Sequence, residues 1–186
     1  MGELIAVASG KGGTGKTSVT AGVASALALL GKRVLCIDCD IGLRNLDISL
    51  GLAEACPLSF LDVCEGGYPL SQATVHPLLP TLHFLTAPMN RPPERIDVDA
   101  FGAFLTGARH FYDYIFLDAP AGVESGFRLA SRFADRCILV TGPGPAAVRD
   151  AARTAQVLEL MGKENGICGG RAGKMHQTAP EVGFMS

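Results

Sequence analysis

Gly10-Lys11-Gly12-Gly13-Thr14-Gly15-Lys16-Thr17 follows directly on the apolar run Leu4-Ile5-Ala6-Val7-Ala8. The spacing is that of a phosphate loop: a glycine, four residues, then Gly-Lys and a hydroxyl residue. Glycines let the backbone turn tightly, so that successive N–H groups face one anion. The helix that follows adds its positive dipole end to the same anion. In this pattern Lys16 reaches the outer phosphates of a nucleotide and the Thr17 hydroxyl is offered to Mg²⁺. Gly10 to Thr17, with Ser18 after them, are the nucleotide-binding candidates. The bland alternative is a glycine-rich turn, which would leave the order of strand, loop and helix to accident.

Working outward, Lys16 to Leu30 reads as a helix with Val19, Val23, Ala26, Leu27 and Leu30 as its apolar stripe, and Gly31 ends it. Arg33 to Asp38 is a β-rich run without polar alternation, as expected of a strand covered on both faces. It ends in Asp38-Cys39-Asp40, placing carboxylates at the C-terminal edge of a sheet, where ligands sit in open α/β folds. Tyr114-Ile115-Phe116-Leu117-Asp118 has the same form, a hydrophobic strand closed by an acid. Beside a phosphate loop that is a Walker B element, whose acid supports Mg²⁺.

Elsewhere the pattern predicts short helical pieces at Phe60 to Glu65 and Leu70 to Thr74, and a strand over Leu82 to Ala87. A helix is expected from Pro92-Pro93 to about His110, and another from Val123 to Phe133. A strand over Arg136 to Thr141 precedes a helix from Pro145 to Met161. Alternating strands and helices imply an α/β fold, a doubly wound and mostly parallel sheet flanked by helices. Gly162 to Ser186 shows no clear periodicity, so a nucleotide-binding domain over 1–161 and an irregular tail over 162–186 are expected, with the sheet incomplete at its end.

The 186 residues suit one domain with a real core, and the net charge of −2 gives no global basic footprint for nucleic acid. Met1 leads almost directly into the first strand, and no apolar run is long enough for a membrane span, which points to a cytoplasmic chain. Cys36 and Cys39 form a C-x-x-C, but Cys36 lies within a predicted strand and no second pair completes a zinc site; reduced, mostly buried thiols are the expectation. The four histidines have no constellation around them.

Lys11-Gly12-Gly13-Thr14-Gly15-Lys16-Thr17 resembles the deviant Walker A motif of the ParA/MinD ATPase family, with its second, early lysine. Gly42-Leu43-Arg44-Asn45-Leu46-Asp47 resembles the MinD branch, as do Asp118 to Phe127 and Ala147-Val148-Arg149-Asp150. The resemblance implies the P-loop NTPase fold and a Mg·ATP-dependent homodimer that hydrolyses ATP and regulates placement of the division septum. By that resemblance Lys11 crosses to the partner's phosphates and, with Lys16 and Asp40, serves catalysis. Asp40 orients the attacking water, Thr17, Asp38 and Asp118 support Mg²⁺, and Arg44 and Asn45 lie in the loop of a nucleotide-sensing switch, unless Asn45 simply shapes a turn. Glu124 and Asp150 fall at dimer-interface and partner-facing positions. Partners implied are a division inhibitor, an ATPase-activating regulator and the inner face of the cell membrane, with no specific nucleic acid.

Two features depart from the family. Residues 162–186 show neither the further strands nor the basic amphipathic anchor helix expected there, as though the C-terminus were shortened. Thr141-Gly142-Pro143-Gly144-Pro145 replaces a more acidic loop. Rival readings are a ParA-like partition ATPase, a small-molecule phosphoryl- or carboxyl-transfer enzyme on the same scaffold, and a nucleotide-binding module with little turnover.

Overall fold

The first strand, β1 (Glu3–Ala8), is buried on both sides: Leu4, Ala6 and Ala8 join one core cluster and Val7 the other. The same two-residue alternation runs through β2 (Val34–Asp38), where Leu35 and Ile37 face one cluster and Val34 and Cys36 the opposite one. Such strands need a layer of helices on each face, and the chain supplies them. On one side lie α1 (Lys16–Leu29) and α2 (Leu46–Ser49). On the other lie α3 (Phe60–Cys64), α4 (Val98–Ala108), α5 (Ser125–Phe133) and α6 (Pro145–Leu160). This computed structural model describes residues 1–169 apart from 42, 54, 56 and 90, together with the backbone of 175–177.

The remaining strands are β3 (Thr74–His76), β4 (Leu79–Leu85), β5 (Tyr114–Asp118), β6 (Arg136–Thr141), β7 (Glu164–Gly169) and β8 (Met175–Gln177). They form one eight-stranded sheet in the order β3-β4-β2-β5-β1-β6-β7-β8. The inner pairings are parallel, while β3 and β8 pair antiparallel at the two edges. Mostly parallel strands covered by helices on both faces are the architecture the sequence implies.

Several expectations are corrected. The irregular tail gives way to β7, which runs beside β6 from the Arg136–Glu164 pair to the Thr141–Gly169 pair, and to β8 beyond it. Glu-Asn-Gly-Ile-Cys-Gly has almost no local strand signal; pairing with an existing strand edge supplies what propensity lacks. Residues 170–174 and 178–186, the rest of that expected tail, lie outside the described residues. The helix after Pro92-Pro93 is broken: a 3₁₀ turn spans Pro93–Arg95, and α4 starts only after Asp97, whose carboxylate accepts from the N–H groups of Asp99 and Ala100. The β4 strand begins earlier than Leu82, at Leu79, because the Thr74–His76 segment folds back against it.

The apolar stripe of α1 is also different. Thr20, Ala21, Ala24 and Ala28 are its buried line, Val19, Val23 and Leu27 flank it, and Ala26 and Leu30 are exposed. Small side chains on that line let the helix axis approach the sheet closely, and hydrophobic size alone misjudged the face.

Candidate nucleotide-binding site

Three neighbouring strands deliver the site. In the order β2-β5-β1, the first ends at Asp38, the second at Asp118, and the third runs into the glycine loop. Asp38 and Asp118 are direct register partners across the β2–β5 pair, and Val7 is the partner of Asp118 across β5–β1. The two acids and the loop therefore meet at one sheet edge. This is the position that open parallel sheets reserve for ligands.

The loop itself is shaped by its own backbone. Gly13 and Gly15 have φ of 76° and 92°, and Gly15 is the residue that launches α1. A Cβ at either glycine would find no atom within 4 Å, so the obstacle to a side chain is conformational and the space above the loop is open. That open shelf, lined by N–H groups and a helix start, fits a polyphosphate. Gly10 is different: a Cβ there would lie 2.5 Å from the Asp150 carbonyl oxygen, so the loop leans directly on α6. Beneath the loop, the Ser9 hydroxyl donates to the Lys11 carbonyl at 2.9 Å, and the Gly122 N–H donates to the Ser9 carbonyl at 2.9 Å. Lys16 is buried, Thr17 is half-buried, and Lys11 and Ser18 are exposed.

Asp118 is almost fully buried, and burial raises its pKa; the Lys16 charge and the hydroxyls of Thr17 and Thr20 act in the opposite direction. Thr20 Oγ1 lies 3.0 Å from Asp118 Oδ1 and 3.1 Å from the Lys16 carbonyl, joining α1 to β5 below the phosphate shelf. This residue was missed in the sequence; its signal was a polar residue one turn after Lys16 on the face that meets the sheet.

Asp38 is fully buried, with its pKa pushed up to about 7 by burial. The Asp40 N–H opposes that shift, and the Asp118 charge adds to it. Its two oxygens are already engaged: Oδ1 accepts from the Asp40 N–H at 2.9 Å and Oδ2 from the Leu46 N–H at 3.2 Å. Asp38 therefore organises the loop that carries Asp40. Asp40 is half-buried at the start of that loop, and Asn45 is exposed at the start of α2 with no side-chain bond capping the helix. Gly42, part of the same motif, lies outside the described residues.

Glu124 precedes α5 without capping it by its side chain, while Asp150 touches the loop through its backbone. Cys36 and Cys39 are buried, and burial pushes both thiols up, which makes them poor nucleophiles. A separate cavity of about 460 Å³ opens at the other end of the sheet beside Arg33, Arg109 and Asp113, away from the shelf. No helix among the described residues is long and apolar enough to cross a membrane.

A phosphate shelf at the end of a central strand, with buried acids ending the next two strands, defines a P-loop nucleotide-binding protein. Residues 5–167 match the CobQ/CobB/MinD/ParA nucleotide binding domain, and the chain belongs to that family. Its relatives include the septum site-determining protein MinD of Synechocystis sp., 43% identical over 160 residues, 86% of this chain and 60% of that protein. The MinC:MinD cell division protein complex of Aquifex aeolicus contains a chain that aligns with a TM-score of 0.80 at 40% identity, over 90% of this chain and 67% of that one. MinD of Pyrococcus horikoshii, complexed with Mg-ADP, aligns at 0.77 and 30% identity, over 90% of this chain and 69% of its own. The chain spans about 60% of the length of the curated relatives it matches.

Proposed function

We propose that this chain is the nucleotide-binding part of a MinD-type ATPase acting in placement of the division septum. The observation that carries the reading is the alignment of Asp38 and Asp118 beside the glycine shelf. Gly10 to Ser18 would hold the phosphates of ATP, with Lys16 as the buried cation among them. Thr17 would hold Mg²⁺ directly, with Asp118 behind it and Asp38 in support. When bound, Mg²⁺ neutralises charge on the phosphate oxygens and fixes their orientation. Asp40 would orient the attacking water, a role supported by the bond from its N–H to Asp38 Oδ1 at the base of the loop. Lys11, exposed at the rim and joined by no ion pair to the described residues, is free to reach the nucleotide of a second copy. Asn45 would sense the nucleotide from the loop after β2.

The nucleotide-binding unit would run from β1 through β7, with Glu124 and Asp150 toward the partner copy or a regulator. MinC-like and ATPase-activating partners, and a cytoplasmic chain that visits the inner membrane surface, belong to the same reading. Sedimentation of the wild type with Mg·ATP and with Mg·ADP tests it. ATP should give a dimer that ADP does not, Lys16→Ala should lose at least about 100-fold in ATP affinity with its charge-assisted phosphate contacts, and Lys11→Ala should bind ATP as a monomer. Normal ATP affinity in Lys16→Ala would refute the site.

A further inference from the structure

Among the described residues other than glycine, Arg44 alone has a positive φ, of 44°. This backbone conformation is unfavourable for a residue with a Cβ, and it persists where surrounding contacts over-determine it. Two contacts do so. The Arg44 N–H donates to the Asp40 carbonyl at 3.2 Å, and Arg44 Nε donates to Thr86 Oγ1 at 3.0 Å.

Thr86 is a rigid anchor. It is 3% exposed just past the end of β4. Its N–H donates to the Leu58 carbonyl at 2.9 Å, and its carbonyl accepts from the Phe60 N–H at 2.9 Å. The Arg44 bond therefore ties the loop after β2 to a neighbouring strand and to the start of α3. Asp40 is held from both directions: from its own N–H by Asp38, and from its carbonyl by the residue latched to Thr86. A displacement of Arg44 is passed through one backbone bond to Asp40. Beside the latch lies a cavity of about 610 Å³ lined by Arg44, Asp62, Glu65, Thr86, Met89 and Arg91. It gives a released guanidinium room, with carboxylates on its walls.

We propose that the Arg44–Thr86 hydrogen bond is a latch that sets the position of Asp40, making Arg44 and Thr86 positioning residues for hydrolysis. The catalytic half of this inference rests on the ATPase reading above; the latch itself does not.

The test combines trypsin cleavage of the Arg44–Asn45 bond with steady-state ATP turnover in wild type, Thr86→Val and Thr86→Ser. Val keeps the volume and removes the acceptor; Ser keeps the acceptor. Thr86→Val should be cleaved about tenfold faster, as expected from loss of one hydrogen bond to a charged donor. It should also lose about tenfold in kcat with KM for ATP unchanged, while Thr86→Ser stays close to wild type in both. Arg44→Lys, which removes the Nε donor without touching the core, should reproduce the kcat loss if Thr86→Val does not fold. Equal cleavage of Thr86→Val and wild type, or a Thr86→Ser variant as impaired as Thr86→Val, would overturn the latch. A wild type that binds ATP without turning it over would sink the ATPase reading, while the cleavage ratio would still decide the latch.

Discussion

The two loops that meet at the sheet edge are built on different terms. The glycine loop takes its form chiefly from its own sequence, by positive φ at Gly13 and Gly15, the Ser9 hydroxyl on the Lys11 carbonyl and the helix it starts, with Gly122 and the Asp150 backbone supporting it from below. The loop after β2 is shaped from its ends and from outside, by the Asp38 carboxylate at its base and by Thr86 just past the end of β4. The first is a pre-formed shelf, and the second is a tethered arm. Binding of phosphate suits a fixed shelf, because donors already in place need no reorganisation. Orienting a water suits an arm whose position can be set.

If that contrast is right, damage to the arm should spare binding and damage chemistry. The largest effect is expected for Asp40→Ala, with turnover lowered by about 10²–10⁴ and ATP affinity retained. Parallel loss of affinity, read by nucleotide fluorescence, would make the arm part of the shelf.

Asp38→Asn probes the base of the arm through pH. Burial pushes the Asp38 carboxyl up to about 7 from its ordinary value of 3.8. Between those values the folded chain binds more protons than the unfolded one, so Asp38 lowers stability as pH rises and its effect levels off above about 7. The wild type should therefore lose stability relative to Asp38→Asn across that window, by at most about 1.4 kcal/mol per pH unit. Urea midpoints at several pH values measure this, and a constant difference would place the carboxyl at its ordinary value.

Thr20→Val sharpens the comparison at the joint below the shelf. It removes the hydroxyl from the fully buried pair with Asp118 at nearly constant volume, at a cost of about 1–3 kcal/mol. Thermal unfolding should show the loss, and a neutral result would mean that Asp118 needs no donor from α1.

The glycine loop was readable because phosphate chemistry constrains residues next to one another. Strands ending in Asp38 and Asp118 were readable for a similar reason, as short apolar runs closed by an acid. The link between those acids was not, since register partners from β2 and β5 are 80 positions apart in the chain. The face of α1 was misread because alanines packed tightly on a sheet carry less hydrophobic signal than the larger residues beside them. Strand β7 was unreadable locally, as its glycines and polar residues become a strand only against β6.

The amino-acid sequence by itself determined that a polyphosphate shelf follows the first strand, that acids end two other strands, and that helices cover both faces. Those features rest on local patterns: backbone freedom at glycine, alternation along strands and helix periodicity. Only the tertiary structure decided that the acids sit side by side, that Asp38 spends both oxygens on the loop it supports, and that Arg44 is tied to Thr86. Strand order and register bring these groups together, and both are set by packing over the whole sheet, which no stretch of the chain contains.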